Sequence, residues 1–208
     1  MLLFKKPQLK FEKLKDGSFK DEYETYLKLK EEFKDKKLKK DKIVFFNPGA
    51  GGDIINPLLF IDALLECKEL ELIFMDPRFY YQFVLEELKE VIENFKYSIK
   101  LDNNTAIIKF KLNSTKVNLI YSGKDAFEKI PDEIRNGFDV YYERAFDLFR
   151  DTENLYMSIV FEKMNQGGIA ITDYGFNKPI TEKNNLQKIE NIPKNFGIYK
   201  NLTIYKKF

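Results

Sequence analysis

Apolar residues along this chain alternate between two patterns. Residues 43–46 (Ile-Val-Phe-Phe) and 71–76 (Glu-Leu-Ile-Phe-Met-Asp) contain short unbroken runs, as expected of strands buried on both faces. Residues 80–95 instead place Phe83, Val84, Leu88, Val91 and Ile92 on one helical stripe. Between the two strands, Asn56-Pro57 reads as an N-cap followed by proline at the first helical position, opening a helix that runs to about Cys67. Residues 106–112 and 116–121 are strand-like and are separated by Asn113-Ser114-Thr115; they form either a hairpin or one strand added before a core strand. Further on, the pattern predicts a strand at 137–142, a helix at 155–164, a Gly167-Gly168 turn into a strand at 169–172, and terminal strand material at 196–199 and 202–206. Residues 19–40 differ: Tyr23, Tyr26, Leu27, Leu29, Phe33 and Leu38 stand among charges at near-helical spacing, which predicts one amphipathic helix. Its basic end, residues 36–40, complements the helix dipole, although the same lysines could contact phosphates.

Repeated strand–helix units predict a three-layer α/β domain over residues 43–208, preceded by a helical extension at 1–42. The sheet is expected to be mainly parallel, with helices on both faces and an antiparallel C-terminal edge. A length of 208 residues suits one main core. Lys+Arg 35 against Asp+Glu 33 leaves a formal charge of +2, so no global basic field argues for general nucleic-acid binding. The chain has one cysteine, Cys67, and no histidine, which excludes internal disulfides, histidine-based triads and histidine-ligated zinc; no metal is expected. No signal-peptide pattern is present and no apolar run approaches the ~20 residues of a membrane span, so a cytoplasmic protein without membrane partners is expected.

The candidate chemistry lies at the ends of the predicted strands, where doubly wound sheets bind ligands. After the first strand, Gly49, Gly51 and Gly52 fall in one four-residue window although the whole chain has only 10 glycines. Such a loop can lay backbone N–H groups against a ligand that side chains would exclude. Asp76 ends the second strand, 76 − 53 = 23 residues beyond the loop, close to the spacing of a ribose-binding acid. Ser122-Gly123-Lys124-Asp125 follows the third strand, with Asp125 placed to accept an exocyclic amine, and Glu143-Arg144 follows the fourth. Phe79, Tyr80, Tyr81, Tyr141, Tyr142 and Tyr174 are aromatics near strand ends that can stack on a flat ligand, and Asp173-Tyr174 could line a substrate pocket. Each feature has a structural reading when taken alone: Asp76 terminates a strand, Asp125 caps a helix, and Gly167-Gly168 turns the chain. Ile54 stands where a dinucleotide fingerprint would place its last glycine, which weighs against a nicotinamide oxidoreductase.

Taken in order, these residues resemble the class I S-adenosylmethionine-dependent methyltransferases, a Rossmann-like family, over roughly residues 43–208. The resemblance implies S-adenosylmethionine as cofactor. Its methionine part would lie on Asn47, Gly49, Gly51, Gly52 and Asp53, its ribose on Asp76, and its adenine by Asp125 and Phe79. It also implies that residues 197–206 form the family's late strand pair. The activity implied is methyl transfer to a small molecule, RNA or protein acceptor, with Glu143 as the candidate for acceptor orientation or proton removal and Arg144 pairing it or meeting an acidic substrate. Asn47 stands where the family usually has an acid, Asp53 falls on the third glycine, and Glu143-Arg144 does not match the signature of base-directed amino-group methyltransferases. These departures favour the alternative of a methyltransferase-like scaffold that has lost catalysis.

Overall fold

Strand residues alternate across a pleat, and here both faces of the pleat are apolar, so the chain builds a core on each side of one sheet. A computed structural model of the chain describes residues 7–15, 20–126, 132–144, 154–173, 175–193 and 201–208. In chain order the elements are α1 (Phe11–Lys15), α2 (Lys20–Glu32), β1 (Leu38–Lys39), β2 (Lys42–Pro48), α3 (Ile55–Leu64), β3 (Leu65–Glu66), β4 (Glu69–Met75), α4 (Tyr81–Val91), β5 (Tyr97–Asp102) and β6 (Thr105–Leu112). There follow β7 (Thr115–Ser122), β8 (Phe138–Glu143), α5 (Asn154–Glu162), β9 (Met164–Thr172), α6 (Lys178–Lys183), β10 (Leu186–Pro193) and β11 (Asn201–Lys207). The 9-stranded sheet has the order β10-β11-β9-β8-β2-β4-β7-β6-β5, and β1 pairs separately with β3. On one face Phe45, Leu72, Phe74, Val140, Tyr142 and Ile171 pack with α3 and α4; on the other Phe46, Ile73, Met75, Tyr141 and Ala170 pack with α5 and α6.

The sheet is mixed rather than mainly parallel. β9, β8, β2, β4 and β7 run parallel, and β11 and β10 on one side and β6 and β5 on the other run antiparallel. Residues 106–112 and 116–121 form the hairpin β6–β7, turned by Asn113 at φ 54°. β5 extends it by a second hairpin that the sequence reading did not anticipate. The predicted helix at 19–40 ends at Glu32 and the chain then enters β1. Gly167-Gly168 is not a turn before a strand: it lies inside β9, where the β8 register shifts. A Cβ on Gly168 would stand 2.6 Å from the Asp139 carbonyl oxygen, so only glycine fits that irregularity. Of the terminal strand material, 202–206 lies in β11, whose partner is β10, and 196–199 lies outside the described residues.

Asn56 is inside α3 rather than at its cap. The Asp53 carboxylate takes the capping role, accepting from Asn56 N at 3.1 Å and Asn56 Nδ2 at 3.0 Å. Pro57 is tolerated in the first turn because its missing N–H has no helical acceptor there. α3 is buried on almost every side, and its one half-exposed residue, Asp62, accepts from Tyr26 Oη at 2.8 Å and Lys30 Nζ at 3.0 Å on α2. Leu9, Leu14, Tyr26, Leu29 and Phe33 of the N-terminal segment thereby enter the same core as α3 and α4.

The feature that shapes the centre is the brevity of the β2–β8 ladder, which registers only Phe45 with Val140 and Phe46 with Tyr141, whereas β2 and β4 stay in register from Lys42 to Pro48. At the start of β8 the buried Asp139 takes the place of missing backbone pairs. Its Oδ2 accepts from Val44 N at 2.9 Å, and its Oδ1 accepts from Lys40 Nζ at 2.6 Å and Asn165 Nδ2 at 2.9 Å. Removing such a buried, paired carboxylate strands its donors. Asp139→Ala is expected to lower the unfolding free energy by roughly 3 kcal/mol, and Asp139→Asn by less because one acceptor survives. Urea denaturation measures both.

Candidate functional site

At the other end of that short ladder the chain leaves β2 through Gly49 at φ 64° and Gly51 at φ 55°. Three contacts draw the loop over the neighbouring strand ends: Ala50 N donates to Met75 O at 2.9 Å, Gly51 N to Asp76 Oδ2 at 3.1 Å, and Tyr121 Oη to Gly51 O at 2.6 Å. A Cβ on Gly51 would meet nothing within 4 Å, so the outer face of the loop opens onto free space. A Cβ on Gly52 would come within 3.2 Å of the ring of Phe83, which is 64% exposed, so that ring would have to give by a few tenths of an ångström.

Asp76 is 3% exposed and carries four hydrogen bonds. Besides Gly51 N, its oxygens accept from Arg78 N at 2.9 Å, Arg78 Nε at 2.9 Å and Arg78 Nη2 at 2.9 Å. Burial alone would raise its carboxyl, but the Arg78 guanidinium and the two backbone N–H groups outweigh burial and hold it below the ordinary range. Arg78, whose guanidinium also lies 5.0 Å from the Tyr80 ring centre, escaped the sequence reading; the signal was a cation two residues past a strand-end acid. Phe79 follows at φ 53°, unusual for an aromatic residue, with its ring 4.7 Å from Tyr81 and 6.0 Å from Tyr121.

Asn47 is buried in the last rows of β2, beside Phe74. Beyond β7, Asp125 is half-buried in the loop after Ser122, whose own hydroxyl is buried without a hydrogen-bond partner. Glu143, at the end of β8, is buried and accepts from Tyr141 Oη at 2.7 Å and Thr172 Oγ1 at 2.8 Å. The salt bridge of Arg144 runs to Asp173, after β9, at 3.4 Å. Burial disfavours the Arg144 charge, yet Tyr142, Asp173 and Asp53 around it more than offset this. Asp53 is pushed up by burial, against the opposing pull of the Asn56 donors and Arg144. The structure thus groups Asn47, Gly49, Gly51, Gly52, Asp53, Asp76 and Phe79 around the β2 and β4 ends, with Asp125 after β7 and Glu143 after β8. Tyr174 lies outside the described residues.

Glu87 also belongs to this group and was not anticipated. One turn beyond Phe83 on α4, its Oε2 accepts from Ile54 N at 3.4 Å. Burial pushes its carboxyl up to about 7, the charges of Asp53 and Glu90 add to this, and the Ile54 N–H opposes it. Among the described residues no group of three or more acids or cysteines is arranged to hold a metal ion, and no helix is long and apolar enough to cross a membrane. A cavity of about 700 Å³, lined in part by Lys42, Glu69, Lys109 and Lys116, lies at the opposite ends of the strands, away from the side where such sheets bind ligands.

No family model and no curated protein sequence matches the chain. Its structure is similar to that of the N-methyltransferase NodS from Bradyrhizobium japonicum WM9, solved with S-adenosyl-L-homocysteine, at a TM-score of 0.54 and 11% identity over 94% of this chain and 90% of that one. It is also similar to a candidate S-adenosylmethionine-dependent methyltransferase from Listeria monocytogenes, at a TM-score of 0.51 and 10% identity over 91% of this chain and 97% of that one. The chain has the α/β fold of the class I S-adenosylmethionine-dependent methyltransferases.

The Glu87 environment predicts a pH effect on stability. A carboxyl at 4.5 in the unfolded chain and about 7 in the folded one binds its proton more tightly when folded. That contribution is complete below about pH 4.5 and is lost as the pH rises to about 7. Glu87→Gln, fixed in the neutral state, should therefore gain on the wild type across that window, as read by melting temperature against pH. Parallel curves would show that Glu87 titrates normally.

Proposed function

We propose that this protein transfers a methyl group from S-adenosylmethionine to an acceptor that is a small molecule, RNA or protein. The observation that carries the proposal is the junction of the glycine loop with Asp76, Gly51 N to Asp76 Oδ2 at 3.1 Å, beside the point where strand order reverses between β4 and β8 on either side of β2. Two features fit a bound cofactor: the open space above Gly51 and the orphaned Ser122 hydroxyl. The neighbour from Bradyrhizobium japonicum, solved with S-adenosyl-L-homocysteine, supports the same cofactor.

In this reading the methionine part lies on the glycine loop, against its backbone beyond the Ala50 and Gly51 N–H groups that Met75 O and Asp76 already hold, and the Asn47 side-chain carbonyl would accept from its ammonium. Asp76 accepts the ribose hydroxyls, and Phe79 and Asp125 border the adenine. Bound S-adenosylmethionine supplies a methyl group on a positively charged sulfur. Displacement of that sulfur by an acceptor lone pair needs alignment above all, which a histidine-free chain can provide. Glu143 is the acceptor-side carboxylate, held in orientation by Tyr141 and Thr172. Residues 1–42 act as an extension to the catalytic unit at 43–208, and the protein works in the cytoplasm.

A second reading, a scaffold without catalysis, is favoured by Arg78, which fills the acceptor sites of Asp76, and by the uncharged Asn47. Calorimetry with S-adenosylmethionine, S-adenosylhomocysteine and NAD separates the readings, and binding of the first two but not of NAD is expected. Asp76→Ala should weaken S-adenosylhomocysteine binding by about 1–3 kcal/mol, and unchanged affinity in a folded variant would remove Asp76 from the site. Radiolabelled cofactor offered to pools of RNA, protein and small molecules then reports catalysis. With an acceptor in hand, Glu143→Gln is expected to keep cofactor affinity and lose roughly 10²-fold in turnover. Cofactor binding without label in any pool favours the scaffold.

A further inference from the structure

β5 is the outermost strand at its end of the sheet, and all six of its residues are exposed. It pairs with β6 without a bulge: Tyr97, Ile99 and Leu101 stand opposite Phe110, Ile108 and Ala106. Those three β6 residues are buried, so the side chains of Tyr97, Ile99 and Leu101 continue the apolar surface under α4, yet they remain 42%, 39% and 54% exposed. No proline lies in the strand, and its one lysine, Lys100, alternates with the apolar stripe. Edges in soluble proteins are usually interrupted by prolines, bulges or charges, and here the charges lie only on the face opposite the apolar stripe, which leaves that stripe as a template for another strand.

The strand is complementary to itself along its whole length in one register; centring on Leu101 also sets Lys100 against Asp102 but leaves Tyr97, Ser98 and Ile99 without partners in β5. Antiparallel pairing of two copies keeps the apolar stripes on one face only when the two-fold axis passes through a residue, not between residues. Centred on Lys100, two ammonium groups oppose each other; centred on Ser98, Lys96 of each copy opposes Lys100 of the other. Centred on Ile99, Tyr97 meets Leu101, Ser98 meets Lys100, and Lys96 meets Asp102 at both ends. Lys96 and Asp102 are exposed and form no ion pair among the described residues, so both can make this contact.

We propose that β5 pairs antiparallel with β5 of a second copy of this chain about a two-fold axis at Ile99, joining the two sheets into one across a homodimer. Six strand residues a side fall short of the roughly 20–30 of a standard interface, so the association is reversible and depends on concentration.

Sedimentation velocity from about 1 μM to about 500 μM spans the range of such an equilibrium. The wild type should pass from monomer to dimer, and Ile99→Lys, which sets two ammonium groups on the axis, should remain monomeric with unchanged circular dichroism. Lys96→Glu and Asp102→Lys should each raise the dissociation constant about tenfold, since each alters two symmetric contacts, and the double variant should restore it. A wild type that stays monomeric throughout, a dimer indifferent to Ile99→Lys, or charge reversals that the double variant does not rescue would each overturn the proposal.

Discussion

A carboxylate removed from water has to be surrounded by donors, and around Asp76 that requirement organises the front of the molecule. Its four bonds gather the glycine loop through Gly51 N, the turn after β4 through Arg78 N, and the Arg78 side chain. Tyr121 then fixes the next peptide of the loop by donating to Gly51 O. The loop is therefore held on both its N–H and its C=O sides, and the free space above Gly51 is bounded by anchored backbone rather than by a loose turn.

The two ladders of β2 are unequal. With β4 the ladder runs the length of the strand, while with β8 it covers two rows. Asp139 bridges the two strands at their beginnings, where Val44 N, Lys40 and Asn165 converge on it. At their ends the β2–β8 register stops at Phe46 and Tyr141, short of Asn47 and Pro48, and charged side chains gather instead. Arg144 faces Asp173 and feels Asp53 and Tyr142, and Glu87 shares the field of Asp53 from the α4 side.

Elements whose own residues dictate their conformation were legible in the sequence. The buried runs of β2 and β4, the glycine loop and the stripe of α4 announce themselves, because burial on a sheet or under a helix demands those patterns. β10 was hidden because its register shifts between Lys188 and Glu190, which spaces Leu186, Ile189 and Ile192 three apart and erases the period of two. Gly167-Gly168 looked like a turn because a bulge asks for the same residue as a turn. Asp53 was read against a binding motif, whereas its geometry is that of a helix cap. Glu87 owes its role to a contact across the loop, with Ile54, which a one-dimensional pattern does not encode, whereas Arg78 reaches Asp76 from only two residues away.

Arg78 gives the site its energetic character. For a ribose to reach the Asp76 oxygens, guanidinium bonds would have to be exchanged for bonds from hydroxyl groups, which the carboxylate charge still strengthens but which bring no opposite charge of their own. The exchange is tolerable only if the displaced cation keeps a partner. Tyr80 offers one, since the guanidinium already lies 5.0 Å from its ring centre and the side chain is largely exposed to water. The Gly51 N–H and Arg78 N–H bonds to Asp76 are made by backbone and persist through such a movement, so the carboxylate stays oriented while its outer donors change. The same arrangement explains how the chain can keep a buried acid at this position: Arg78 and two backbone N–H groups satisfy it from within the chain, and any outside donor would have to compete with them.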